Sequence, residues 1–236
     1  MFSVFQCEES IMEKILYELT NPQKNIMELQ KVNPENESIA HISAALKLDG
    51  VLDINLLKKT LNIVIQKNDS YHIRLLEKHS KIFQYFVEDV PEQDFQVRKF
   101  ATDDISDFIQ EYNNLQLSFN KLFSFAIAIT PNYTYILYKT HHIIADGWAM
   151  TQFSEQVKEI YCKLKNNEDL STFSRPSYLD VIKREDEYMN SAKYSTDYNF
   201  WKDYTAKINT DKLFQSDDIF DKTSKLSDYE LPINLS

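Results

Sequence analysis

The chain is poor in glycine, with two in 236 residues where average usage near 7% would supply roughly sixteen. Cysteine is equally scarce. Cys7 and Cys162 stand far apart and without metal-ligand spacing, which argues against a disulfide framework and for free thiols in a reducing compartment. No apolar run approaches the ~20 residues that a membrane-spanning helix needs. The opening residues lack a basic stretch and carry Glu8 and Glu9, unlike a secretory signal. Lys and Arg number 26 against 36 Asp and Glu, a net charge of −10. That balance speaks against a nucleic-acid or anionic-membrane surface. Apolar side chains are plentiful, at 43% of the chain with 13% aromatic, enough for a sizeable core and against global disorder. The expectation is a cytoplasmic protein with no nucleic-acid or membrane partner.

Against that scarcity, the setting of one glycine carries weight. Gly147 closes the run His141-His142-Ile143-Ile144-Ala145-Asp146-Gly147, and Trp148 follows. Histidine is the side chain best suited to move protons near neutral pH, and glycine permits close backbone approach. Residues 133–139 read as a strand leading into the histidines. Beyond Gly147, Met150, Phe153, Val157, Ile160, Tyr161 and Leu164 recur at helical spacing. The motif therefore sits on a strand-loop-helix junction, where catalytic groups often gather.

Other elements can be read along the chain. Residues 11–19 suggest a short helix. Thr20 and Gln23 form a capping box that opens a helix to about Lys31. Residues 39–48 alternate as a half-buried strand, Gly50 turns the chain, and Asp53 caps a helix through Ile65. Leu57, Leu61, Val64 and Ile65 form the apolar stripe of that helix. Residues 71–76 and 81–87 read as paired strands, and residues 95–100 as one more. Thr102 caps a helix to about Tyr112. Residues 122–129 and 133–140 form a hairpin around Pro131-Asn132. Two helices follow the motif helix, at about 178–189 and 192–208, and the last ~25 residues read as an irregular tail. Strands and helices thus mix, with two antiparallel hairpins, which favours an α+β layer fold over a doubly wound parallel sheet.

The run from His141 to Trp148 resembles the active-site motif of the condensation domains of nonribosomal peptide synthetases, in the chloramphenicol-acetyltransferase-like superfamily. Leu19-Thr20-Asn21-Pro22-Gln23 resembles the L-S/T-x-x-Q opening of these domains. Leu48-Asp49-Gly50-Val51-Leu52-Asp53 resembles their first strand-to-helix turn, and Tyr71-His72-Ile73-Arg74-Leu75 their L-R-x-R-F segment. Ser177-Tyr178-Leu179-Asp180 and Tyr198-Asn199-Phe200-Trp201 resemble the stretch after the motif helix. The resemblance implies a chloramphenicol-acetyltransferase-like lobe, a mixed, mostly antiparallel sheet covered by helices. Condensation domains carry two such lobes in tandem, with the motif in the first. Here 35 residues follow Trp201 and 89 follow Gly147, which suits the first lobe of that tandem better than a single-lobe acetyltransferase, whose motif lies near the chain's end. The expected organisation is an extension over residues 1–18, the N-terminal lobe over 19–208, and a tail over 209–236 leading toward a missing second lobe.

The implied reaction is amide formation between two carrier-bound thioesters in antibiotic or secondary-metabolite biosynthesis. Carrier-protein domains would deliver both substrates on phosphopantetheine, with adjacent synthetase domains and the missing C-terminal lobe as further partners. No directly bound cofactor and no metal site are expected. An α-amine has a pKa of about 7.7–8.0 and a thiol of about 8.5, so much of the acceleration comes from positioning. A histidine adds ~10²–10⁴-fold.

Successive strand residues point to opposite faces, so only one of His141 and His142 enters a channel. The resemblance assigns catalysis to His142 and structural support to His141. Gly147 reads either as a point of close approach whose N–H stabilises an oxyanion or as a tight turn. Asp146 reads as an N-cap, and the resemblance has it hold the loop through an arginine. Arg74 is the candidate partner, although His72 replaces the family's first arginine there, and a plain surface role fits Arg74 as well. His41, His79 and Trp201 read only as strand, turn or core residues. Two further functions remain open: a CoA-dependent acyltransferase of the same superfamily, and a catalytically silent lobe that docks carrier proteins.

Overall fold

The computed structural model describes residues 14–208 except residue 172. The chain divides into two compact units, with the break between Tyr178 and Leu179, inside the segment read as one lobe.

The first unit holds two sheets. In the larger, β2 (His41–Asp49) pairs antiparallel with β7 (Tyr133–His141), β7 pairs antiparallel with β6 (Phe123–Ile129), and β6 takes β5 (Gln96–Lys99) in parallel. The smaller is an antiparallel sheet in which β4 (Lys81–Phe86) lies between β1 (Tyr17–Glu18) and β3 (Ile73–Lys78). This is the mixed, mostly antiparallel α+β arrangement that the sequence suggests.

Strand periodicity sorts the side chains of the large sheet. From β6 and β7, Phe123, Phe125, Ile127, Ile136 and Tyr138 enter the main core. Ala126, Ala128, Tyr135 and Leu137 enter a second, smaller one. The main core is covered by α2 (Ile54–Lys67) and α4 (Gly147–Lys165), the smaller by α3 (Ser106–Asn113). Both faces are covered, so β6 and β7 read as nearly unbroken apolar runs. At the centre of the main core Tyr138 stacks on Phe153 of α4, with ring centroids 4.7 Å apart.

Local chemistry sets the element ends. Helix α1 (Asn21–Lys31) opens on the Thr20–Gln23 capping box, the Gln23 Oε1 accepting from Thr20 N–H at 2.9 Å. Asp53 accepts from Asn55 and Leu56 N–H at the start of α2. Gly50 has a φ of +80°, a conformation in which L side chains are strained, and its N–H reaches Asn132 O at 2.8 Å. His79 and Ser80 turn the β3–β4 hairpin with positive φ at both positions, as two-residue hairpin turns of matching twist do.

Three expectations need correction. Residues 14–19 form no helix; their middle is β1, which completes the small sheet, and residues 11–13 lie outside the described residues. Thr102 caps nothing, because α3 starts at Ser106. Asp104 accepts from the Ser106 N–H, and Asp103 accepts from the Asn132 backbone N–H and side-chain amide, which holds this stretch as a turn. Tyr71 and His72 belong to a 3-10 turn ahead of β3.

The second unit carries α5 (Tyr178–Met189), whose first residue lies in the first unit, and α6 (Ala192–Thr205), capped by Ser191 on Tyr194 N–H. Neither helix buries a residue. Trp201, for which the sequence offers a core reading, is 59% exposed beside Phe200 and Tyr204. The expected tail and Cys7 lie outside the described residues, and Cys162 is a half-buried free thiol. Among the described residues no helix is long and apolar enough to cross a membrane.

Candidate active site

Strand β7 delivers both histidines and then ends. His141, its last residue, is buried. Its Nδ1 accepts from Ile143 N–H at 3.1 Å, so Nε2 carries the proton and donates to Gln30 Oε1 at 3.1 Å. Burial, then the neighbouring His41 and His142, push its pKa down to about 4. His41 lies directly across the β2–β7 pair, and its ring meets that of His141 edge-on with centroids 5.3 Å apart. Burial, then the charge of Lys139, bring His41 to about 4 as well. Lys139 is itself buried, with Nζ donating to Asn113 O at 2.5 Å. Both rings are therefore neutral near pH 7.

His142 opens the turn beyond the strand. Its N–H donates to Ala40 O at 2.7 Å, and Ile144 N–H returns to His141 O at 3.1 Å. Ile143 and Ile144 bury their side chains in the main core. From below, the buried Gln23 donates to Ile143 O at 3.1 Å and exchanges amide hydrogen bonds with the buried Gln84. The turn is thus pinned on strand, core and amide sides, and the half-buried His142 is the one side chain between His141 and Ile144 that is not buried.

Helix α4 begins at Gly147. Asp146 is exposed and accepts from Ala149 N–H at 2.8 Å as its N-cap. The N–H groups of Gly147 and Trp148 have no acceptor within the helix and lie at its positive end. Gly147 has no positive φ, and a Cβ added there would meet nothing within 4 Å. Among the described residues neither a tight turn nor packing demands glycine at this position. Trp148 beside it is 70% exposed.

Arg74 does not join this group. Its guanidinium turns back on its own chain and donates to Tyr71 O and Ile73 O, each at 2.8 Å. Burial lowers its pKa. Among the described residues no ion pair links Arg74 to Asp146, which spends its carboxylate on the helix cap. His72, in the place of a possible second arginine, is buried with Nδ1 3.1 Å from Val87 O.

A cavity of about 240 Å³ opens on the α4 side of the motif loop. Ile144, Ala145, Ala149, Phe153 and Tyr138 form its apolar wall, and Asn68, Gln152, Gln156 and Arg175 its polar rim. Among the described residues no group of three or more His, Cys, Asp or Glu is placed to hold a metal.

These features are those of a lobe with the chloramphenicol-acetyltransferase-like fold. Solved structures share it. The starter condensation domain of rhizomide synthetase superposes with a TM-score of 0.73 at 19% identity, covering 83% of this chain and 49% of that one. The first condensation domain of the calcium-dependent antibiotic synthetase, solved with a substrate analogue, gives 0.71 at 18%, covering 81% and 48%. The family model described as Condensation domain matches residues 13–229, and the chain belongs to that family. Surfactin synthase subunit 1 of Bacillus subtilis (strain 168) is 28% identical over 200 residues, 80% of this chain and 6% of that protein. Enterobactin synthase component F of Escherichia coli O157:H7 is 22% identical over 188 residues, 74% and 14%. The chain spans about half the length of the solved condensation domains it matches and a small fraction of the curated synthetases.

Sequence reasoning misses four residues at the site. His41 reads only as strand, and nothing local singles out Gln30 or Gln84. Gln23 reads as a cap, and its second duty of holding Ile143 O depends on a contact 120 residues away in sequence. The position of Gln23 in the L-S/T-x-x-Q segment is the one signal that points to it.

Proposed function

We propose that this chain supplies the histidine-bearing wall of a condensation domain that joins carrier-bound aminoacyl or peptidyl thioesters through an amide bond. The observation that carries this reading is the contrast within the motif: His141, Ile143 and Ile144 are buried supports, and His142, five residues ahead of the start of α4, is left half open. In the reaction the acceptor's α-amine attacks the donor thioester carbonyl, the C–S bond breaks, and the amine's proton passes to the departing thiolate. His142 accepts or steers that proton, Gly147 gives the tetrahedral oxyanion room and an N–H, and His141 and Asp146 hold the loop. The open space above Gly147 suits the approach of a thioester on its phosphopantetheine arm, which arrives with the carrier protein. A second lobe closes the other side of the channel, and adjacent synthetase domains present the carriers.

The test compares three samples with carrier-bound donor and acceptor: this chain alone, the chain joined to a second condensation lobe, and the joined protein carrying His142→Ala. Amide product from the joined protein only, lowered ~10²–10⁴-fold by the substitution, is the expected result. Equal product with and without His142 would make the chain a docking lobe. Turnover of acyl-CoA in place of the carrier-bound donor would make it a CoA-dependent acyltransferase.

A further inference from the structure

Arg175 makes no hydrogen bond and no ion pair among the described residues. Its Nε is shut off from solvent without a partner, and its guanidinium lies 4.8 Å above the Phe173 ring. Yet it lines the cavity beside the motif loop, whose lining among the described residues contains no Asp or Glu. Asp69, the chain neighbour of Asn68 on that rim, is occupied: it accepts from the Ser177 hydroxyl at 2.6 Å and from Tyr178 N–H at 2.8 Å. An arginine presents five donors in a planar fork that matches a carboxylate. In a chain of net charge −10, such a cation facing a cavity with its acceptors missing points to a ligand that brings them.

The cavity is lined by the reacting loop and by that cation alike. Ile144 and Ala145, which follow His142 closely in sequence, line it with Tyr138, Ala149 and Phe153 as apolar surface, and Asn68, Gln152 and Gln156 add amides to the same lining as Arg175. At about 30 Å³ per water, 240 Å³ suits a group of about eight non-hydrogen atoms. Burial, and more weakly the charge of Asp146, raises the pKa of the Tyr138 hydroxyl, which keeps it protonated.

We propose that this cavity receives the side chain of one condensing substrate and that Arg175 selects an acyl or aminoacyl group ending in a carboxylate. The proposal rests on the condensation reading for its substrate, and its test does not depend on turnover. Binding of S-glutaryl-N-acetylcysteamine, its methyl ester and the S-(γ-carboxy)aminoacyl analogue made from glutamate is followed by calorimetry on the whole chain at low salt. Wild type, Arg175→Gln, Arg175→Lys and Gln152→Glu are compared.

The acids should bind wild type at least ~10-fold more tightly than the ester, as one charge-assisted contact provides. Arg175→Gln should erase that preference and Arg175→Lys keep part of it, since the charge remains and the fork is lost. Gln152→Glu should weaken the acids more than the ester. A stronger response to glutaryl than to glutamyl thioester would identify a dicarboxylic acyl donor, and the reverse an acidic amino acid; either supports the proposal. It is overturned by equal binding of acid and ester, by a preference that survives Arg175→Gln, or by absence of saturable binding. Inorganic phosphate binding as tightly, and with the same Arg175 dependence, would also overturn it. Carboxylate binding together with failure of amide formation in the joined protein would defeat the condensation reading and leave the subsite standing.

Discussion

His41 and His141 face each other across the β2–β7 pair, their rings edge-on with centroids 5.3 Å apart, and both are held neutral by burial. His141 spends both nitrogens on structure, one on Gln30 and one on Ile143 N–H. The site's support is thus a pair of uncharged imidazoles beneath a half-open third.

That pair gives the fold a pH dependence whose sign follows from the shifts. Both folded pKa values, about 4, lie below the ordinary 6.5, so the unfolded chain binds protons that the folded one refuses. The contribution is complete above pH 6.5 and is lost as pH falls toward 4. At 1.36 kcal/mol per unit, His141 accounts for roughly 3 kcal/mol, and the more exposed His41 for less. Urea midpoints measured across this range should fall steeply in wild type, and His141→Gln should flatten the curve.

His142→Ala should leave the thermal midpoint within about 1 °C, because the half-buried side chain makes no hydrogen bond among the described residues, whereas His141→Ala should cost on the order of 1–3 kcal/mol through the unpaired Ile143 N–H and Gln30 amide. Melting of the two variants side by side checks this. Equal losses would mean that the two histidines do not divide support from chemistry.

Asp146→Ala should cost about 1 kcal/mol, the worth of an N-cap. Reversing the charges of Asp146 and Arg74 singly and together should give additive effects within ~0.5 kcal/mol. A double-mutant cycle by denaturant unfolding measures this, and a coupling of several kcal/mol would reveal an ion pair that the backbone contacts of Arg74 leave no room for.

The two glycines should answer oppositely to alanine. Gly50→Ala should lose about 1–2 kcal/mol, because its φ of +80° is strained for any L side chain even though the added methyl has space. Gly147→Ala should hold or gain stability, by up to about 1 kcal/mol, while lowering amide formation in the joined protein, since the methyl fills the space a substrate would take. Stability and product yield measured on the same samples separate the two roles.

Much of the architecture is legible directly. The capping box at Thr20–Gln23, the Asp53 cap, the turn at Gly50 and the hairpin around Asn132 depend on residues a few positions apart, and each forms where local chemistry puts it. Residues 14–19 mislead because β1 is two residues long and exists only through its pairing with β4. Trp201 misleads because aromatic character does not say whether its own unit offers a cover.

The sequence alone determined the α+β class and the strand-loop-helix setting of the motif, because periodicity, caps and turns are short-range properties. Tertiary structure decided what the motif leans on. The Gln23–Gln84 amide pair under Ile143, the ring of His41 against His141, and the turning of Arg74 onto its own backbone away from Asp146 all join residues through space. Tertiary structure also sets Arg175, without a hydrogen bond among the described residues, at the rim of the cavity. Burial and partner geometry settle such contacts, and neither is set until the sheets and helices have packed.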